Sequence, residues 1–348
     1  MKPGSCEIDS LLNLSARIGR DRLLTQASNG NTSIKLDRTL WIKASGKWLS
    51  NALKEDILVA VDLDTAKDCV WRNKDLRSVW VDVSGRNLKP SIETAMHAVL
   101  GHRVVMHVHS VNCIAVAIRS DARQQLRRRL EGLHWEWVPY VPSGLPLARA
   151  VERVVRNSPR TDVIVLGNHG LIVCDNDCDR VQELLDEVET RLALRSRRAP
   201  EFDDGFLRGL AQGSGWRLPE HAAVHSLATD AISREIFSRG VLYPCQAIFL
   251  GAVDQYKYLY AEHHSEAAKE LKCRRGETFV VVNGKGVLIS DNIASAEYET
   301  LLGLVQVLQR VDDPSAIRYL TSGELKAVSR LAAYRTTSVG FERPALSA

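Results

Sequence analysis

No apolar run in the sequence approaches the roughly 18 residues needed to span a bilayer, so no membrane partner is expected. The start is equally bare: Met1-Lys2-Pro3-Gly4 runs toward acids with no apolar core of about 7–15 residues, so no export signal is read and a cytoplasmic protein is expected. Cysteine is sparse and odd in number, seven residues scattered from Cys6 to Cys273, which points to reduced thiols rather than a disulfide framework. Cys174 and Cys178 are the one close pair and have no second pair to complete a zinc knuckle. An excess of one charge is also missing, with 46 basic against 42 acidic residues and a net charge of +4. Arg119, Arg123, Arg127, Arg128 and Arg129 cluster on helical text, and Arg195, Arg197 and Arg198 form a second group. Neither group has aromatic stacking positions or a nucleic-acid motif beside it, so a solvated face is expected and no nucleic acid.

What is present is a globular composition, 45% hydrophobic and 25% charged, in a chain of 348 residues that exceeds one ordinary core and predicts two lobes. Leu11, Leu12, Leu14 and Ile18 repeat at helical spacing and predict an opening helix over Ile8–Leu24. A turn at Ser28-Asn29-Gly30-Asn31 leads into a hairpin of Thr32–Leu36 and Thr39–Lys43, followed by strands at Ile57–Val61 and Val79–Val83. Pro90-Ser91 predicts a helix through Leu100 with Ser91 as N-cap and Glu93 in its first turn. Strand text at Val104–His109 precedes a helix from Asn112, and Val163–Leu166 and Leu171–Cys174 flank Gly167-Asn168-His169-Gly170 before a helix over Asp179–Ala193. Strands and helices mix without a regular βαβ period, which predicts a layered α/β sheet with antiparallel parts. Arg197–Phe206 reads as a linker between a domain over residues 1–200 and a second over 206–348. Beyond it the chain repeats itself faintly: Asp162–Asn176 lies on Thr278–Asn292 at an offset of 116, with Val165, Gly170, Asp175 and Asn176 on Val281, Gly286, Asp291 and Asn292. His169 then falls on Lys285.

His107-Val108-His109 ends an apolar strand, and side chains two apart on a strand share a face, so both imidazoles can meet one ion. His169, in its glycine-bounded turn, is a candidate third ligand, which would leave a fourth position open as catalytic zinc sites do. Glu93 is the candidate acid/base, since a carboxylate beside a metal-bound carbonyl compound can move the proton on the adjacent carbon. His97, one helical turn on, is read as structural. Gly30, Asn31, Ser45, Gly46 and Ser91 occupy turns or a helix start that can offer N–H and hydroxyl donors to a phosphate.

Gly30-Asn31-Thr32-Ser33, Lys43-Ala44-Ser45-Gly46, Pro90 to His97, His107-Val108-His109 and Asn168-His169-Gly170-Leu171 occur in one order over residues 5–195. Together they resemble the class II (zinc-dependent) aldolase and adducin family, most closely the aldolase part of rhamnulose phosphate aldolase/dehydrogenase fusions. No glycine-rich dinucleotide loop follows a strand, so the dehydrogenase half is absent from the pattern. The resemblance implies a three-layer α/β/α sandwich around a mixed, mostly antiparallel sheet. It implies metal ligands at His107, His109 and His169, acid/base work at Glu93, and a phosphate pocket at Gly30, Asn31, Ser45 and Ser91. The expected activity is carbon–carbon lyase cleavage of a small ketose phosphate through a metal-stabilised enediolate. The expected metal is zinc, with manganese, cobalt and iron left open. Family sites lie between subunits, which implies a homo-oligomer with sites near subunit or lobe interfaces. Residues 206–348 are read as a smaller α/β lobe, a degenerate copy without metal ligands.

Two family positions depart from the pattern: Ile92 stands where relatives often carry a second serine, and the tyrosine that protonates the leaving fragment has only Tyr140 as a candidate. Related epimerases usually carry Asp at the Glu93 position. An epimerase or decarboxylase and an adducin-like non-catalytic scaffold stay open as alternatives. A cupin-type oxygenase or hydrolase fits less well, because no acid follows the HxH pair at Val111–Ala115 and Glu93 lies 14 residues before His107.

Overall fold

Leu11, Leu14 and Ile18 fall on one side of a helix, and α1 (Ser5–Arg20) buries all three. It stops short of the expected Leu24 because the Asp21 carboxylate captures the Leu23 N–H at 2.8 Å, offering the backbone a turn in place of another helical step. The structure is a computed structural model that describes residues 5–76, 80, 88–251, 257–260, 263–274 and 276–338. The strand expected at Val79–Val83 lies, apart from Trp80, outside the described residues. The chain divides into two units, one of Met1–Ala117 with Asp121–Ala193 and one of Ile118–Ser120 with Leu194–Ala348.

The first unit continues with β1 (Asn31–Leu36), β2 (Thr39–Lys43), β3 (Leu58–Asp62), α2 (Leu63–Trp71), α3 (Thr94–Val99), β4 (Val104–Val108), α4 (Val111–Ala117) and α5 (Ala122–Arg129). It ends with β5 (Trp135–Val138), α6 (Leu145–Asn157), β6 (Val163–Leu166), β7 (Gly170–Asp175) and α7 (Cys178–Leu192). Its seven strands form one sheet in the order β3-β2-β1-β4-β7-β6-β5. Among the described residues only the β5–β6 pairing is parallel, so the sheet is mixed and mostly antiparallel as expected. Helices α2, α3 and α6 cover one face, where Met96, Leu100, Val105, Leu147, Ile164 and Ile172 pack together. Helices α1, α4 and α7 cover the other, which completes three layers. Both faces being covered explains the near-continuous apolar text of β4 and β6, buried along their whole lengths.

The second unit holds α8 (Asp204–Ala211), β8 (Trp216–Arg217), a 3-10 turn at Ala222–His225, α9 (Ser226–Thr229), α10 (Ala231–Arg239) and β9 (Tyr258–Leu259). It closes with α11 (His264–Lys272), β10 (Phe279–Val282), β11 (Gly286–Ser290), α12 (Ser295–Leu308) and α13 (Ser322–Ser338). Its four strands order as β8-β11-β10-β9. Helix α8 begins inside the stretch read as a linker, and Arg197 is part of this unit, where its guanidinium meets Asp230 at 2.6 Å. Arg119 is not on a helix; it pairs in an isolated bridge with Ile317, while Arg123, Arg127 and Arg128 do lie on the exposed side of α5. All seven cysteines are free.

Candidate metal centre

Strand β4 runs out at Val108, so His107 is its last inward residue on the α3 face and His109 follows two positions later with its ring on the same side. The next strand pair, β6–β7, closes through a turn in which Asn168 takes the left-handed conformation (φ 50°), and this turn carries His169. Gly170 is required there by space: a Cβ would stand 2.5 Å from the Val108 carbonyl oxygen and 3.3 Å from the His107 ring. Register does the rest, because β4 pairs with β7 from Val104↔Asp175 to Val108↔Leu171 and so carries both histidine-bearing ends to one edge.

The three rings meet as edges, with centroids 4.9–5.1 Å apart, and one ligand nitrogen from each lies within 4.8 Å of the others. All three are buried. His107 Nδ1 lies 3.0 Å from the Leu171 carbonyl, which can only accept, so this nitrogen carries the proton and Nε2 presents its lone pair inward. Its Nε2 is 3.2 Å from that of His109. Tetrahedral zinc with bonds of about 2.0–2.1 Å sets two ligand nitrogens about 3.3 Å apart, so this spacing fits a shared ion. Burial holds the His107 imidazole down to about 4, in the neutral form that ligation requires.

The structure places Glu93 against this cluster, with Oε2 3.6 Å from His107 Nε2 and Oε1 3.2 Å from His169 Nε2. The carboxylate is 6% exposed. Burial alone would push it up, but His107, His169 and His109 beside it hold it well below the usual carboxylate range. Asn31 Nδ2 donates to Oε2 at 2.6 Å and Ser143 Oγ to Oε1 at 3.3 Å, so each oxygen has its own donor. The Ser91 cap differs from expectation: α3 starts at Thr94 with Glu93 itself at the cap position. Ser91 Oγ accepts the Glu93 N–H at 3.2 Å and its carbonyl takes both Thr94 donors, which makes a turn that aims Glu93 before the helix begins.

The candidate anion residues surround the same end of the sheet. Gly30 (φ 73°) packs so closely that a Cβ would lie 2.9 Å from the His107 carbonyl. Ala44 bridges to Pro90, and the Ser45 N–H donates to the Lys89 carbonyl, so the Ser45-Gly46 turn and Ser91 are neighbours. Lys43, only 1% exposed, ties these loops: its ammonium donates to the Ser28 carbonyl at 2.9 Å and to the Lys47 carbonyl at 2.6 Å. Neither Lys43 nor Ser143 stood out among the candidate site residues, since a lysine on a strand and a loop serine carry no spacing signal. His97 sits apart from the ring cluster's donors, bonded to Ser33 Oγ at 2.8 Å, and burial lowers it to about 3. Tyr140 follows β5, where its backbone nitrogen would be 3.1 Å from a Cβ on Gly167.

The sequence pattern of the Class II Aldolase and Adducin N-terminal domain matches residues 10–195, more than half of the chain. The chain belongs to this family. Among relatives of this aldolase-family chain is the uncharacterized oxidoreductase YuxG of Bacillus subtilis, 28% identical over 180 residues. That match covers 47% of this chain and 26% of YuxG, so the chain spans about a quarter of that relative's length. L-fuculose phosphate aldolase of Methanococcus maripaludis is 28% identical over 181 residues, covering 48% of this chain and 86% of that one. Among solved structures, the N-terminal class II aldolase domain of a conserved protein from Thermoplasma acidophilum is 26% identical, covering 53% of this chain and 92% of that one with a TM-score of 0.47. The family assignment bears out the resemblance to class II aldolases and adducins, and the buried triple-histidine cluster could hold a divalent metal. No helix among the described residues is long and apolar enough to cross a membrane.

Proposed function

We propose that this class II aldolase-family chain is a carbon–carbon lyase that cleaves a small ketose phosphate, with His107, His109 and His169 as metal ligands and Glu93 as acid/base. One observation carries the reading: a buried carboxylate lies 3.2–3.6 Å from two of three converging imidazoles. A scaffold has no need to bury an ionised carboxylate against histidines, since desolvation makes that costly. The relatives named L-fuculose phosphate aldolase support a phosphorylated ketose, in line with the rhamnulose phosphate resemblance of the sequence.

When bound, a divalent ion, zinc by preference for three imidazoles, supplies Lewis-acid stabilisation of negative charge on the substrate's oxygens. The Glu93 carboxylate handles the proton. In the condensation direction it takes a proton from the carbon beside the carbonyl. In cleavage the substrate's β-hydroxyl gives up its proton as it becomes the aldehyde, and the electrons of the breaking carbon–carbon bond pass toward the carbonyl oxygen. One proton taken up from solvent by Glu93 is delivered to that same carbon. Asn31 and Ser143 fix the plane of the carboxylate while it does so. The hydrogen bond from His107 Nδ1 to Leu171 fixes that ring's tautomer and orientation.

Asn31 gives one amide N–H to Glu93 and keeps a second, so the phosphate would be held by the Gly30-Asn31 and Gly46 turns and the Ser45 and Ser91 hydroxyls, with the buried Lys43 charge holding their loops. A homo-oligomer and a place in carbohydrate metabolism belong to the same reading. The test is Glu93→Gln in the full, zinc-loaded chain against a panel of ketose 1-phosphates. Metal content should be kept while cleavage falls by about 10²–10⁴-fold, the usual worth of a positioned acid/base. Undiminished cleavage by the variant removes Glu93 from the chemistry, and a metal-loaded parent inert across the panel favours the scaffold.

A further inference from the structure

The second unit repeats the first strand for strand over the part that builds the metal centre. Strands β10 and β11 pair as Phe279↔Ile289, Val280↔Leu288, Val281↔Val287 and Val282↔Gly286. Each partner lies 116 residues beyond its counterpart in the β6–β7 pairs Val163↔Val173, Ile164↔Ile172, Val165↔Leu171 and Leu166↔Gly170. A parallel strand flanks each hairpin, Trp137↔Val165 and Val138↔Leu166 in one, Tyr258↔Val281 and Leu259↔Val282 in the other. An antiparallel strand flanks the opposite side, Val105↔Cys174 and Met106↔Val173 against Trp216↔Ser290 and Arg217↔Ile289. The sheet orders β4-β7-β6-β5 and β8-β11-β10-β9 are therefore the same.

The turns agree at the level of single hydrogen bonds. Gly167, Asn168 and His169 donate their N–H groups to Val138, Ala117 and Leu166, while Asn283, Gly284 and Lys285 donate theirs to Leu259, Ala228 and Val282. The middle residue is left-handed in both, Asn168 at φ 50° and Gly284 at φ 71°. One core matches as well: Val105, Val138, Ile164, Leu166 and Ile172 correspond to Trp216, Leu259, Val280, Val282 and Leu288.

This equivalence locates what stands where the metal ligands would be. Two and four residues beyond Val105 are His107 and His109; the same steps beyond Trp216 give Leu218 and Glu220. His169 corresponds to Lys285. Glu93 is the residue immediately before α3, and Asp203 is the residue immediately before α8, each helix packing beside α6 or α11 on the same face. Lys285 Nζ meets Asp203 Oδ2 at 2.8 Å, the same relation that His169 Nε2 has to Glu93 Oε1 at 3.2 Å.

We propose that residues 203–308 are a degenerate second copy of the metal-bearing half of the first unit, in which the Lys285 ammonium, paired with Asp203, replaces the metal and its histidine. Strands equivalent to β1–β3, which bring the anion loops, have no counterpart among its described residues, so this copy is neither a second metal centre nor a second active site. The inference rests on the triple-histidine reading of the first site only for what a ligand set looks like.

The test installs the lost ligands. Leu218→His, Glu220→His and Lys285→His in the full chain should raise bound zinc by one ion per chain over the parent, read by elemental analysis of the dialysed protein and by a zinc-dependent rise in unfolding temperature. Leu218 packs against the local core, so the double variant Glu220→His with Lys285→His, using Asp203 as third ligand, serves if the triple variant does not fold. A folded variant that gains no ion overturns the proposal, as does a parent chain that still holds an ion after His107→Ala and His169→Ala. The gain is a difference from the parent, so it is read whether or not the first site is loaded. A parent without metal would count against the first site alone.

Discussion

The turn at His169 and the turn at Lys285 have the same backbone, the same hydrogen bonds and a glycine on the same side, yet they do opposite things with charge. At His169 a buried carboxylate faces three imidazoles, an arrangement that carries net negative charge and lacks a cation of its own, which a divalent ion would supply. At Lys285 the positive charge is already part of the chain and is balanced by Asp203. A site that needs an ion and one that carries its own differ by a few side chains on one scaffold. Function therefore sits in the ligand set and not in the strand–turn–strand that presents it.

The sharpest way to break this contrast is to remove a ligand from each turn. His169→Ala should abolish bound metal and cleavage together, whereas Lys285→Ala should leave both intact; metal content and turnover of the two variants decide it. Next in size is the paired glycine test. Gly170→Ala drives a Cβ to 2.5 Å from the Val108 carbonyl and against the His107 ring, so overpacking of about 1–3 kcal/mol should come with weakened metal binding. Gly286→Ala meets Leu207 and His225 instead and is strained at φ 149°, so it should lower the unfolding temperature with metal binding unchanged. A smaller effect is expected from Asn31→Ala. It removes one donor from Glu93 and should lower turnover more than it raises KM, since it acts on the orientation of the carboxylate.

The smallest effect is a pH effect. The hydrogen bond from Lys285, and then that from the Phe206 N–H, lower the Asp203 carboxyl below its ordinary value. A depressed folded-state value means the stabilisation is fully present above the unfolded carboxylate pKa of about 3.9 and is lost as pH falls through the folded value. Lys285→Met should therefore cost a little stability at neutral pH, a loss that vanishes as pH falls through the folded value, so the acid limb of the stability profile becomes slightly shallower. A loss that stays as large in acid, below the folded value, would show that the pair does more than exchange charge.

The sequence announced those parts of the centre that depend on short periods. Two histidines at strand spacing, one histidine between glycines and a glutamate after Pro-Ser were all readable, because each is set by its immediate neighbours. Ser91 was misread as a cap since the same residue types build turns and caps, and only the Thr94 hydrogen bonds decide between them. Lys43 stood in a family motif but without a role, and Ser143 was not singled out, because both roles rest on carbonyls and carboxylates brought together from distant loops. The repeat showed only across the β10–β11 hairpin, where the offset stays constant. The match of β8 to β4 was hidden, because the spacing from β8 to β10 differs from that between β4 and β6. The Asp203–Lys285 pair, closed over a long loop, has no sequence signature at all.

One buried triple-histidine centre, and no other cluster among the described residues, is proposed to hold the metal. Elemental analysis of the full-length chain after zinc loading and dialysis, compared with His107→Ala treated alike, tests it most directly. One ion per chain is predicted in the parent and none in the variant. An ion retained by the folded variant, or none bound by the parent, would contradict it.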